Sequence, residues 1–306
     1  MTKHEPCRVK TISEFHLLRG LPKPEHPQIS LIKLEAGAQK VKTEQYQFIW
    51  EFYSISSITE IGGTKYKYGQ QAHDFDEGAM FFMAPGQLFS VEAGENYISP
   101  SGWILLIHPD LFWNTSLAQK IKRYEFFDYS VNEALFLSEK EKITIYRIVK
   151  NIQQEYKSNI DTFTQDIIIS QIETLLNYSE RFYQRQFITR KKANHKILER
   201  LEMLLSEYFE SNEISQRGLP TAELISKSLN LSRNYLSSML KVLTGLNTQQ
   251  HIHEKLIAIA KEKLSSTDLP INEIAYHLGF EHPQSFSKLF KNKTKLTPME
   301  FRKTYN

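Results

Sequence analysis

The spacing of hydrophobic and polar positions changes along the chain. Over 29–108, short runs rich in aromatic and β-branched residues occupy 29–34, 46–57, 65–69, 79–83, 88–92 and 102–108. Gly62-Gly63, Gly69, Gly78, Pro85-Gly86, Gly94 and Pro100 punctuate them. Many short strands with turn signals every ~8–12 residues predict an antiparallel barrel or sandwich. Beyond residue 110 the spacing becomes helical. Apolar residues recur at Ile145, Ile148, Val149 and Ile152 within 138–157. They recur again at Ile168, Ile172, Leu175 and Leu176, with Ser179, within 163–185. The polar break at 158–161 lets these two helices fold back as a hairpin. Its apolar stripe is expected to pack on the barrel and also to serve as a dimer surface.

Residues 1–28 carry Pro6, Pro22, Pro24 and Pro27 and read as an irregular arm. The polar basic stretch 187–196, with Arg190-Lys191-Lys192, reads as a linker between two periodic regions. After it the pattern predicts helices over 197–209, 221–229, 232–243, 248–265, 271–278, 284–293 and 298–305. Thr297-Pro298-Met299-Glu300 marks the last start, with threonine at N-cap, proline at N1 and glutamate at N3.

The strongest pattern is an internal repeat. Ile225-Ser-Lys-Ser-Leu229-Asn-Leu231 aligns with Ile274-Ala-Tyr-His-Leu278-Gly-Phe280, an offset of 49. Leu236-x-x-Met239-Leu240-x-x-x-Thr244-x-Leu246 aligns with Phe286-x-x-Leu289-Phe290-x-x-x-Thr294-x-Leu296, an offset of 50. One residue is therefore added in the second copy, around 281–283. Each copy is a short helix, a tight turn and a longer one-sided helix, the pattern of a helix-turn-helix.

An α-helix fits the ~12 Å major groove of B-DNA and presents polar side chains to base edges. The outer face of the first long helix carries Arg233, Asn234, Ser237, Ser238 and Lys241. The second carries Gln284, Ser285, Ser287, Lys288 and Lys291, with Glu281 as the acidic side chain nearby. The helix between the copies, 248–265, is roughly 27 Å long at 1.5 Å per residue. That length suits two recognition helices about one DNA turn apart, ~34 Å, in successive major grooves.

Charge adds to this picture. The 306 residues hold 38 Lys and Arg against 35 Asp and Glu, a net of +3. Over 187–306 the count is 18 basic and 12 acidic, net +6, which leaves net −3 over 1–186. A mildly acidic strand-rich half is joined to a basic helical half, and basic excess attracts polyanions. Cys7 is the single cysteine, so a disulfide scaffold or cysteine-rich zinc site is excluded. The longest apolar stretches, such as 103–107, fall far short of the ~20 residues of a membrane span. The first residues lack a signal-peptide pattern, and a cytoplasmic protein with no membrane partner is expected.

The chain resembles the AraC/XylS family of bacterial transcription regulators over about 195–305. The carrying segments are Leu229-x-Leu-Ser-Arg-Asn-Tyr-Leu-Ser-Ser-Met-Leu-Lys-x-x-Thr-Gly245 and the second helix-turn-helix over 266–302, which matches nearly position by position. The resemblance implies base-facing roles for Asn234, Ser237 and Ser238, with Arg233 and Lys241 nearer the phosphates. It implies base or backbone contact for Pro283, Gln284, Ser287 and Lys288. Gln284 has the geometry for a bidentate contact with adenine. Ser237 and Ser238 replace longer Gln and Arg of some members, Leu256 stands where arginine is frequent, and Lys295 replaces the glycine that Gly245 supplies in the first copy.

The first half is similar to the family's sensor region by architecture: an arm over 1–28, a cupin-like sensor domain over 29–137, and a dimerising helical hairpin over 138–186. The fold class that follows is α+β. A cupin-like antiparallel β-barrel and hairpin precede an all-α DNA-binding domain over 197–306 with two helix-turn-helix motifs. Residues 78–86 look like a cupin strand and Pro-Gly turn. Leu88-Phe89-Ser90 stand where a metal histidine is expected, and no His-x-His occurs in the barrel.

No metal, cofactor or catalytic residue is therefore expected, and a cupin enzyme fused to a DNA-binding domain is disfavoured. His73-Asp74-x-Asp76-Glu77 reads as a solvated turn or a metal cluster, and His251-x-His253 as surface or packing. Nucleophile motifs and phosphate-binding Gly-rich loops are missing. Trp50, Phe52 and Trp103 either fill the barrel core or line an effector pocket.

The expected function is a sequence-specific regulator, an activator in the first instance. Its partners are double-stranded DNA, a small-molecule effector and a second copy of the chain, with RNA polymerase as a further candidate. The alternative is an effector-independent regulator whose barrel serves only assembly.

Overall fold

The computed structural model describes residues 6–35, 46–60, 78–91, 101–130, 133–158, 161–211, 214 and 217–304. The strand expected at 65–69 and the His73–Glu77 cluster lie outside these residues. The chain divides into two compact units, 1–186 and 187–306.

The described strands of the first unit are β1 (Cys7–Val9), β2 (Ile29–Leu34), β3 (Tyr46–Trp50), β4 (Tyr53–Glu60), β5 (Ala79–Met83), β6 (Leu88–Val91), β7 (Ser101–Ile107) and β8 (Leu135–Phe136). They form a three-stranded sheet, β1-β3-β6, and a five-stranded sheet, β2-β7-β4-β5-β8. Among the described residues the strands form two sheets and no closed barrel, the five-stranded sheet is antiparallel as expected, and β1 runs parallel to β3. Gly102 lets β7 run this close to β4. A Cβ at its φ of +145° would sit 2.0 Å from the Ser57 carbonyl oxygen.

The single strand expected over 46–57 is two strands belonging to different sheets. The chain turns at Glu51-Phe52, where Glu51 N–H donates to Val9 O at 3.0 Å and Gly86 N–H to Trp50 O at 2.7 Å. Those bonds satisfy backbone groups that the apolar sequence pattern does not reveal.

The reading of 1–28 as an irregular arm is also corrected. After β1, helix α1 (Ile12–Leu18) starts at a Thr11/Glu14 capping box. It buries Ile12 and Phe15, and Phe15 meets Trp50 edge-on at 5.3 Å. A single cluster gathers Val9, Ile12, Phe15, Ile32, Trp50, Phe52 and Leu106. Apolar burial thus outweighs the proline density around it.

A short turn of helix, α2 (Leu117–Lys120), leads to α3 (Glu139–Lys157) and α4 (Thr164–Thr189). The predicted stripes are buried: Ile145, Ile148, Val149 and Ile152 on α3, and Ile168, Ile172, Leu175, Leu176 and Ser179 on α4. Ser179 donates to Leu175 O at 2.8 Å, so its hydroxyl is satisfied. Gln186 stitches α4 to β8, accepting from Phe136 N–H at 2.8 Å and donating to Ala134 O at 3.0 Å.

The second unit holds α5 (Lys191–Glu210), α6 (Ala222–Ser228), α7 (Arg233–Thr244), α8 (Thr248–Ser266), α9 (Ile271–His277), α10 (Pro283–Thr294) and α11 (Pro298–Lys303). The linker expected at 187–196 is corrected: α4 runs to Thr189 and α5 begins at Lys191. Lysine and arginine are good helix formers, so a basic run does not interrupt a helix. Inside this unit Phe187 packs edge-on against Tyr235 at 5.1 Å. Around α8 a core collects Leu256, Ile257, Ala260, Leu264, Ile274, Phe286 and Phe290.

Candidate nucleic-acid interface

Each helix-turn-helix closes its turn with the same hydrogen bonds. In the first, Thr221 Oγ1 caps α6 by accepting from Leu224 N–H at 3.2 Å. The turn closes with Leu229 N–H on Ile225 O, Asn230 N–H on Lys227 O and Leu231 N–H on Ser226 O, at 3.1, 3.0 and 2.9 Å. In the second, Leu278 N–H donates to Ile274 O, Gly279 N–H to Tyr276 O and Phe280 N–H to Ala275 O, at 3.0, 2.9 and 3.0 Å. All three bonds repeat at the offset of 49.

The residue in the middle of each turn is left-handed, Asn230 at φ +58° and Gly279 at φ +82°. Glycine is required at 279. A Cβ there would lie 2.9 Å from Ile214 and 3.0 Å from the Gly218 backbone.

The recognition helices then repeat at the offset of 50. Their N-caps are Ser232, whose Oγ accepts from Tyr235 N–H at 3.2 Å, and His282. The extra residue of the second copy is therefore Glu281. Both helices end the same way. Gly245 N–H donates to Lys241 O at 3.0 Å and Lys295 N–H to Lys291 O at 2.8 Å. Thr244 Oγ1 donates to Leu240 O at 2.8 Å, and Thr294 Oγ1 to Phe290 O at 2.8 Å. Capping boxes then start the following helices, Asn247 with Gln250 and Thr297 with Glu300. The sequence pattern contained both threonines, but not their role in holding the recognition helix to the next one.

Tyr235, Leu236, Met239 and Leu240 are the buried side of α7, and Phe286 and Phe290 that of α10. On α7 the residues Asn234, Ser237, Ser238 and Lys241 follow i, i+3, i+4, i+7 spacing and so form one stripe. Arg233 lies beside it at the helix start. On α10 the same spacing aligns Gln284, Ser287, Lys288 and Lys291. Arg233, Lys241, Gln284, Lys288 and Lys291 are exposed, whereas Asn234, Ser237, Ser238, Pro283 and Ser287 are half-buried. Each stripe offers amide, hydroxyl and ammonium groups, which suit base edges and phosphates.

Helix α8 joins the two copies of the repeat. Its 19 residues span about 28 Å at 1.5 Å per residue. Lys293 of α10 pairs with Glu254 of α8 at 3.0 Å. Arg302 of α11 donates to Leu264 O at 3.3 Å and Leu269 O at 2.7 Å, tying the last helix to the end of α8. His251 bonds Thr244 Oγ1 through Nε2 at 2.8 Å, and His253 bonds Gln249 at 3.0 Å. Burial holds both imidazoles below their usual pKa; Glu202 and Glu254 oppose this at His251, whereas Lys293 adds to it at His253.

In the first unit Trp50 stacks with Phe52 at 5.9 Å in the cluster with Phe15. Trp103 is not with them. Ile104 and Leu106 pack into that cluster, so the strand pleat turns Trp103 to the opposite face of β7. All three are buried. Among the described residues no group of three or more His, Cys, Asp or Glu could hold a metal ion, and no helix is long and apolar enough to cross a membrane.

Comparison with known proteins finds matches to part of the chain. The family model of a helix-turn-helix domain matches residues 225–304. The Msm operon regulatory protein of Streptococcus mutans is 37% identical over 79 residues, 26% of this chain and 28% of that protein. Regulatory protein SoxS of Salmonella typhimurium is 29% identical over 80 residues, 26% of this chain and 75% of SoxS. Among solved structures, the C-terminal domain of the two-component response regulator yesN from Fusobacterium nucleatum is 33% identical, with a TM-score of 0.30. It covers 34% of this chain and 95% of that domain. The chain spans 28% to 57% of the length of three of the curated relatives it matches.

Proposed function

The chain belongs to the AraC/XylS family of regulators, and we propose that it is a sequence-specific transcription regulator that reads double-stranded DNA with two heads. The observation that carries this reading is the repeated hydrogen-bond frame. It presents equivalent polar stripes on α7 and α10 from either side of one continuous helix. Asn234, Ser237, Ser238, Gln284, Ser287 and Lys288 are the base-facing set. Arg233, Lys241, Pro283 and Lys291 position the backbone, with the heads in successive major grooves.

The first unit is the candidate cupin-like sensor, with its double sheet as the body and the α3/α4 hairpin as the homodimer surface. A ligand favouring one dimer arrangement would shift the spacing of the two DNA-binding units and activate a nearby promoter through RNA polymerase. A second reading draws support from the packing of Trp50 and Phe52 against Phe15: these aromatics are core, and the first unit serves assembly. Thermal shift with candidate ligands separates the two, because a ligand of the folded state alone stabilises it.

DNA selection with purified protein tests the main reading. The wild type should select a site with two half-contacts about one helical turn, ~34 Å, apart. Gln284→Ala should relax the preference at one base pair and weaken the best site by about 1–3 kcal/mol. An unchanged base preference in Gln284→Ala would count against Gln284 as a reader.

A further inference from the structure

Outside the repeat, the α3/α4 hairpin has an open groove of about 270 Å³ lined by Lys140, Thr144, Tyr178, Arg181, Phe182 and Arg185, together with Glu141. Three features distinguish it from an ordinary charged surface. Tyr178 and Phe182 form an aromatic pair at 5.7 Å on one wall, with Phe182 buried and Tyr178 half-buried. Arg185 is fixed: its guanidinium grips both Glu141 oxygens at 3.1 and 2.7 Å and donates to Phe136 O at 2.7 Å. That pair neutralises itself and stiffens the groove. Lys140 on α3 and Arg181 on α4 are exposed cations facing the same space, and no described residue pairs with either ammonium or guanidinium.

Two unpaired cations beside an aromatic wall fit an anion with an apolar body. An anion between them relieves their mutual repulsion. A guanidinium offers a fork matched to a carboxylate, and the rings bury an apolar body. Inorganic phosphate or sulfate would leave the rings unused. The volume lies just below the ~300–1,000 Å³ of drug-sized sites, so the ligand is small.

We propose that the groove between α3 and α4 binds a small aromatic or aliphatic carboxylate, with its head on Lys140 and Arg181 and its body on Tyr178 and Phe182. This rests on the reading of the first unit as a sensor. It moves the site from the buried Trp50 and Phe52 to the surface of the hairpin that is the candidate dimer element.

The test is calorimetric titration of the full chain with 2-naphthoate, using uncharged 2-naphthamide as the control. Naphthoate should bind once per chain. Arg181→Gln and Lys140→Gln should each weaken it about tenfold, which corresponds to ~1.4 kcal/mol, and naphthamide should bind at least as weakly as naphthoate does to those variants. Both substitutions are at exposed positions and should leave the circular dichroism unchanged. Absence of naphthoate binding overturns the proposal, as does equal binding of the amide or an affinity unchanged in both variants. So does loss of self-association in Arg181→Gln without naphthoate binding, which would assign the groove to a second copy. Naphthoate binding that depends on Arg181 but leaves DNA affinity unchanged supports the site and removes the sensing role instead.

Discussion

The two recognition helices close on residues in the left-handed region, Gly245 at φ +78° and Lys295 at φ +67°. A residue with a Cβ loses about 1–2 kcal/mol there. Substituting Lys295→Gly recovers that cost but gives back about 0.4–1 kcal/mol through the freer unfolded chain. The net expectation is stabilisation by about 0.5–1 kcal/mol. Lys295 contributes little to offset this, because its ammonium reaches only Asn292 O at 3.4 Å from an exposed position. Gly245→Ala is the mirror experiment. An added Cβ there meets nothing within 4 Å, so only the backbone cost remains and the change should destabilise by about 0.5–1 kcal/mol.

Urea denaturation followed by two probes measures both effects. Trp50, Trp103 and Trp113 all lie in the first unit, so tryptophan fluorescence follows that unit. The part of the helix dichroism that melts without a tryptophan change belongs to the second. With a slope of about 1–3 kcal/mol per molar urea, its midpoint should move by roughly 0.2–1 M, upward for Lys295→Gly and downward for Gly245→Ala. Midpoints that move the same way in both variants, or a Lys295→Gly midpoint below wild type, would refute the conformational argument.

Three further expectations follow from the second unit. Lys291→Ala should weaken binding to all DNA sequences alike and reduce the slope of log affinity against log salt by about one unit, measured by anisotropy titration at several salt concentrations. Arg302→Gln removes the charge from the bonds to Leu264 O and Leu269 O and should cost about 1.5–3 kcal/mol in the same urea experiment; an unchanged midpoint would dismiss the tie to α8. The Glu300 carboxylate is held below its usual pKa by the Thr297 backbone N–H and then by the Thr297 hydroxyl. Its folded pKa is depressed, so its contribution is present above the unfolded value and lost as pH falls through the folded one. Carbonyl NMR should place its titration below that of a free glutamate, and Thr297→Ala should raise it.

The helical half was legible because its signals are local. Period, caps and the repeat all act within a few residues, and Thr297-Pro298-Met299-Glu300 starts α11 as its residue types imply. The sheet half was less legible because strand partners are distant. Nothing in the apolar run 46–57 marks the turn at Glu51-Phe52, since the groups that satisfy it, Val9 O and Gly86 N–H, come from elsewhere. The side of β7 on which Trp103 falls depends on pairing and packing rather than on residue type. The capping box of α1 was present in Thr11-x-x-Glu14 but was hidden by surrounding prolines. The basic run at 190–192 looked like a linker for want of apolar residues, although its residue types favour helix.

The repeat divides what must be kept from what is free to differ. The turn bonds, the left-handed central residue and the threonine at the helix end recur in both copies, because each satisfies backbone groups that the fold would otherwise strand. Glycine itself is not part of that requirement. Asn230 adopts the left-handed region in the first copy, and only the approach of Ile214 and Gly218 makes glycine necessary at 279. The outer stripes show the opposite pattern. Ser237 and Lys241 recur as Ser287 and Lys291, while Asn234 and Ser238 become Gln284 and Lys288. Arg233 has its counterpart in Pro283, so each head keeps two cations, Arg233 and Lys241 in the first and Lys288 and Lys291 in the second. Under the proposed function the second head therefore moves one cation along its stripe and has a longer amide for a base. The two half-contacts on DNA should differ in sequence, because the groups offered to base edges differ while the number of cations does not.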